Sequence, residues 1–114
     1  MTALLLATML LMRPTAPTPL GRAIEHVESR GNPLAVSPVG ARGLWQVMPG
    51  VAKVPVWLLH VPAVGRAEGR RVLGRWLRRC HGDQVCALRA YACGNKGLRG
   101  ACKWYADAVL REVR

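Results

Sequence analysis

Four cysteines, Cys80, Cys86, Cys93 and Cys102, fall in the last third of a 114-residue chain, and they restrict its fold more than any other feature. An even number in so small a chain argues for two disulfides and an oxidising compartment. Such staples help a single domain of this size, which without its first twenty or so residues buries only about 60–70% of its unfolded surface. Three pairings are open, and the sequential one, Cys80–Cys86 with Cys93–Cys102, is the simplest. The spacing C-x5-C-x6-C-x8-C lacks the C-x2-C knuckle of structural zinc sites. His26, His60 and His81 show no paired metal spacing either, so neither a metal nor an organic cofactor is implied.

The remaining pattern is helical. Ala23, Ile24 and Val27 give an apolar side to a helix from about Gly21 to Arg30, ended by Gly31 and Pro33. Residues 31–42 read as loop and "MPGVAK" as a short helical turn. Helix-like spacing returns from Val64 to Arg79, Asp83 reads as the N-cap of a helix over Gln84 to Ala92, and a last helix spans Cys102 to Val113. With no alternating strand and no repeat, the expected fold is all-α, one small domain over residues 20–114. Residues 1–19 are expected to form an apolar leader and a Pro-rich link. The run from Ala3 to Met12 is about half the ~20 residues that span a bilayer. It resembles a secretory signal core, although no Lys or Arg precedes it and "RPTAPTP" offers an imperfect cleavage site around Ala16. A retained anchor or a helix packed on the domain stays open.

Charge narrows the partners. Seventeen Lys and Arg against six Asp and Glu give a net charge of +11, which attracts polyanions: nucleic acid, an anionic membrane or the acidic polymers of a wall. Arg66, Arg70, Arg71, Arg75, Arg78 and Arg79 crowd one expected helix, as a solvated face or an anion-binding one. No specific nucleic-acid binding is expected, because zinc-finger spacing and an aromatic strand platform are both missing.

The chemistry points to "ESRGNPLAVSPVGARGLWQVMP", residues 28–49. Glu28 stands in the last turn of its helix, where the helix dipole gives a carboxylate no help and its pKa tends to rise. A carboxyl kept neutral near pH 7 is what protonating a glycosidic oxygen requires. Most glycosidases need a second carboxylate about 5–9.5 Å across the sugar. Of Glu25, Glu68, Asp83, Asp107 and Glu112, none sits in a motif, and Glu25 lies beside Glu28 on its own helix. A mechanism with one carboxylate fits better. Ser29 has no His and Asp partners in a recognisable order, which disfavours a serine nucleophile.

Glu28-Ser29, the segment "NPLAVSPVGARGLWQVMPG", the element "ALRAYACG" and the pair Tyr105 and Val109 resemble, in this order, the motifs of the soluble lytic transglycosylase family, the goose-lysozyme-like branch of the lysozyme superfamily. The resemblance covers about residues 20–114. It implies a lysozyme-like fold with a glycan groove and cleavage of the MurNAc–GlcNAc β-1,4 bond of peptidoglycan. Glu28 would act as acid and then base while the muramic C6 hydroxyl attacks C1, leaving a 1,6-anhydro sugar. An internal nucleophile is worth up to ~7–11 kcal/mol when well oriented.

The resemblance also implies that Ser29, Ser37, Gly43, Gln46, Met48, Tyr91 and Tyr105 bind or brace the substrate, with Tyr91 hydrogen-bonding near Glu28. Two positions depart from the family pattern. Ala92 replaces an Asn, and Trp45 stands where Met is frequent, either stacking on a sugar or forming core or wall. The expected partner is the peptidoglycan strand, met as an exported or envelope-delivered monomer, in a secretion or conjugation apparatus or in phage lysis. Hydrolytic muramidase activity, a non-catalytic peptidoglycan-binding module and a cationic membrane or nucleic-acid binder are the alternatives.

Overall fold

The computed structural model describes residues 18–113. The leader, with its signal or anchor reading, and the proline-rich link up to residue 17 lie outside the described residues. The first helix, α1, is Pro19–Ser29. It starts two residues before Gly21 because the Thr18 hydroxyl accepts from the Gly21 N–H at 3.0 Å and Pro19 occupies the first turn, a pairing of cap and proline that suits a helix start. It stops where Arg30 and Gly31 both take positive φ, 54° and 75°.

The segment from residue 31 to 55 is more ordered than a loop. Two isolated antiparallel bridges pair Val36 with Arg42 and Arg42 with Val47. Arg42 and Val47 exchange both backbone bonds at 3.0 Å, and the Ser37 N–H donates to the Ala41 carbonyl at 2.9 Å. "MPGVAK" forms one turn, with Val51 and Ala52 N–H donating to the Met48 carbonyl. A short 3-10 helix, Val56–His60, leads into α2, Pro62–Arg79. There Pro62 opens the helix, so α2 starts two residues before Val64.

The Asp83 carboxylate accepts from the Cys86 N–H at 3.1 Å and caps α3, Gln84–Cys93, as the sequence predicts. A four-residue helix α4, Asn95–Leu98, and α5, Lys103–Val113, complete the chain. No sequence signal anticipates α4. All helical, without a regular strand among the described residues, the domain agrees with the all-α expectation.

Helix α1 packs on α5, α2 on α3, and α3 on both α4 and α5. Ile24, Leu59, Leu88 and Val109, one from each of four elements, are fully buried where these meet. The disulfides take the sequential pairing, Cys80–Cys86 and Cys93–Cys102. The first ties the end of α2 to the first turn of α3, and the second ties the end of α3 to the residue before α5. Loops this short are worth about 2–3 kcal/mol each in the chain-entropy account. No described helix is long and apolar enough to cross a membrane.

Candidate active site

A cleft of about 350 Å³ opens between the end of α1, the 37–51 segment, α2, α3 and the start of α5. Its walls are mostly apolar and aromatic, and among the described residues Glu28 is the one carboxylate that lines it. The Tyr105 hydroxyl donates to Glu28 Oε2 at 2.8 Å. Burial pushes the Glu28 carboxyl up from 4.5 to about 7, against the opposing pull of that hydrogen bond, which favours the charged form. Its place in the last turn of α1 offers no compensating dipole.

Three of the other acids pair away from the cleft. Glu25 accepts from Arg66 Nε at 2.6 Å and from Trp45 Nε1 at 3.1 Å. Glu68 accepts from Arg71 Nε at 3.0 Å and from the Lys53 N–H at 2.6 Å, while Glu112 lies 3.7 Å from His26. Among the described residues no group of three His, Cys, Asp or Glu side chains could hold a metal ion.

Five of the other expected site residues line the cleft: Ser37, Gln46, Met48, Tyr91 and Tyr105. Ser37 Oγ accepts from the Ala41 N–H at 3.0 Å and so holds the loop's shape. Gln46, at φ 51°, spends its amide N–H donors on the Gly43 and Ala35 carbonyls, at 3.0 and 3.2 Å. That leaves its side-chain oxygen without a partner among the described residues. Tyr91 is near Glu28 but does not bond it: its hydroxyl donates to the Trp45 carbonyl at 2.6 Å. Tyr105, stacked beside it with centroids 6.4 Å apart, makes the bond to Glu28 instead. Burial, and then the nearby Glu28 carboxylate, push both phenols up, so both remain hydroxyl donors.

Three expected substrate contacts stand behind the cleft wall. Trp45 is only 2% exposed and packs in the core, against Gly69, which makes room for it. A Cβ on Gly69 would lie 2.5 Å from the Trp45 side chain, and one on Gly21 would lie 3.5 Å from it. Ser29 is buried, its hydroxyl shared between the Leu44 and Glu25 carbonyls at 2.9 and 3.0 Å, which ties α1 to the loop. Gly43 takes φ 83°, and any Cβ there would run into the Leu59 carbonyl oxygen. The motif's glycine thus lets the loop pack on the 3-10 helix rather than offering backbone to a sugar.

The sequence reading missed Trp76 and Trp104 as cleft residues. For Trp104 the spacing points the other way, since Trp104, Tyr105, Ala108 and Val109 read as one apolar side. The buried side of α5 is Tyr105, Ala106 and Val109, which leaves Trp104 off the core face, and it is 66% exposed. Ala92, the substituted motif position, also lines the cleft and is exposed.

The fold aligns with the 70 kDa soluble lytic transglycosylase of Escherichia coli at a TM-score of 0.74 and 22% identity, over 88% of this chain and 21% of that one. The described fold is therefore lysozyme-like in the sense of that enzyme, and the chain spans about a fifth of that enzyme's length. No curated protein matches the sequence. The family model for the transglycosylase SLT domain matches residues 8–108, from within the apolar segment to the middle of α5. With nearly all of its length under that match, the chain belongs to the transglycosylase SLT domain family.

Proposed function

We propose that this protein cleaves the MurNAc–GlcNAc β-1,4 bond of peptidoglycan without water as nucleophile. One observation carries the reading: a single carboxyl, Glu28, is held in an aromatic cleft with its pKa near 7, and no second carboxylate among the described residues lines that cleft. At neutral pH such a group is divided between its acid and base forms, so it can serve in both roles. Protonated Glu28 gives its proton to the glycosidic oxygen as the C1–O bond breaks. The muramic C6 hydroxyl bonds to C1 and returns its proton to the Glu28 carboxylate, which closes the 1,6-anhydro ring and restores the acid. Tyr105 orients Glu28 through its hydrogen bond and favours the carboxylate that exists between the two transfers.

Gln46 Oε1, Met48, Trp76 and Trp104 are suited to hold the sugars, the indoles by stacking and the amide by accepting a hydroxyl. The disulfides support action in an oxidising, exported setting, the cell envelope or a wall reached from a phage or secretion machine. The test is mass spectrometry of products from purified peptidoglycan, wild type against Glu28→Gln. Glu28-dependent anhydro ends support the reading, and reducing ends would replace it with a hydrolase. Binding without products would make this a peptidoglycan-binding module, a reading that exposed Ala92 in the cleft favours.

A further inference from the structure

The last two turns of α2 carry more positive charge than the fold consumes. Arg66 and Arg71 are spent on Glu25 and Glu68. Arg70, Arg75, Arg78 and Arg79 are exposed and make no ion pair among the described residues. The helix dipole favours cations in the last turn, which accounts for Arg78 and Arg79. It does not account for Arg75, whose i,i+4 spacing from both Arg71 and Arg79 repels.

The row also has a fixed place. Val72 and Trp76 line the cleft from one side of α2, and one turn further along that side stands Arg79. Its guanidinium lies 5.6 Å from the centre of the Trp76 ring, a cation–π contact that holds the charge beside the cleft wall. Arg75 is one turn back from it. A glycan strand lying in the cleft would run alongside exposed guanidinium groups with no acid to neutralise them.

Resting on the reading of the cleft as a peptidoglycan site, we infer that Arg75 and Arg79 bind the carboxylates of the stem peptide that hangs from the strand, so that this protein prefers peptide-bearing to peptide-free glycan. Guanidinium forks take carboxylates in paired hydrogen bonds, and a strand seated on Trp76 delivers its peptide within their reach.

The experiment measures kcat/KM and Kd of the full chain on glycan strands with stem peptides intact and on the same strands stripped of them. Wild type should favour the intact strands by about three- to tenfold, the range that a few exposed charge pairs supply. In Arg75→Gln/Arg79→Gln the preference should fall towards one, mainly through KM. Arg111→Gln, an equal loss of charge on an exposed position of α5, should keep it.

A preference unchanged in the double variant overturns the inference, as does an equal loss on both strands. Retention on anionic lipid vesicles that depends on Arg79, with no peptide effect, also overturns it and gives the row to a membrane surface. If neither strand is cleaved but Kd still shows the Arg79-dependent preference, the inference stands while the cleavage reading falls.

Discussion

Glu25 and Glu28 leave the same helix one turn apart and meet opposite fates. Glu25, its side chain 15% exposed, is turned towards α2 and paired with Arg66, with the Trp45 indole as a second donor. Glu28 faces the cleft with one neutral donor, the Tyr105 hydroxyl, and no ion pair among the described residues. In a chain so rich in Lys and Arg, the lack of an ion pair to Glu28 among the described residues is what leaves burial to decide its protonation. The contrast teaches that α1 has a face that holds the fold together and a face available for chemistry.

The strongest way to break the contrast is Glu28→Gln, which keeps the shape and removes the proton. Cleavage should fall by about 10²–10⁴-fold, the usual weight of a general acid–base group, with an unchanged circular dichroism spectrum. Glu25→Gln should leave the cleavage chemistry in place. Next comes stability against pH. Folding raises the Glu28 pKa from 4.5 to about 7, so the folded state holds that proton more tightly between those values. Stability should therefore fall as pH rises from about 4.5 to 7 and then level off, by up to about 3 kcal/mol. In Glu28→Gln that part of the slope should vanish in urea titrations at pH 5 and pH 8.

Arg66→Met tests the other face. It strands the Glu25 carboxylate and should lower stability by about 2 kcal/mol, less than a fully buried pair would, because the Arg66 side chain is 37% exposed. A melting temperature within a degree of wild type would show the pair to be ornamental. The smallest effect is expected from Tyr105→Phe. Losing a donor to the carboxylate moves the Glu28 pKa further up, so the basic limb of the pH–rate profile should shift to higher pH while the rate falls about tenfold or less. A profile that drops without shifting would mean that Tyr105 only packs.

Local signals made much of this legible. Glu28 at a helix end and the Asp83 cap follow from neighbouring residues, and the structure moves the boundaries by no more than two positions, the start at Pro62 instead of Val64 among them. What failed was long-range. Trp45 reads equally as a sugar-stacking aromatic or as core until Gly69, 24 residues on, is found to leave the hole it fills. Two tyrosines could have reached Glu28, and choosing between them needed the packing of α5 on α1. The Trp76 wall depends on where α2 turns relative to α3, which periodicity along one helix does not encode.

The two disulfides have a mechanical consequence for the cleft. Both involve α3, the helix that contributes Tyr91 and Ala92, and they fasten it at its first turn and at its last residue. The facing side is the 37–51 segment, which no disulfide crosses and which is held by two isolated bridges, a few side-chain bonds and the burial of Leu44, Trp45 and Val47. One jaw of the cleft is thus riveted and the other merely buttoned. Breathing that admits a thick, cross-linked polymer is then expected to come from the buttoned side, and hydrogen exchange at Ala41, Arg42 and Val47 should run ahead of exchange in α3.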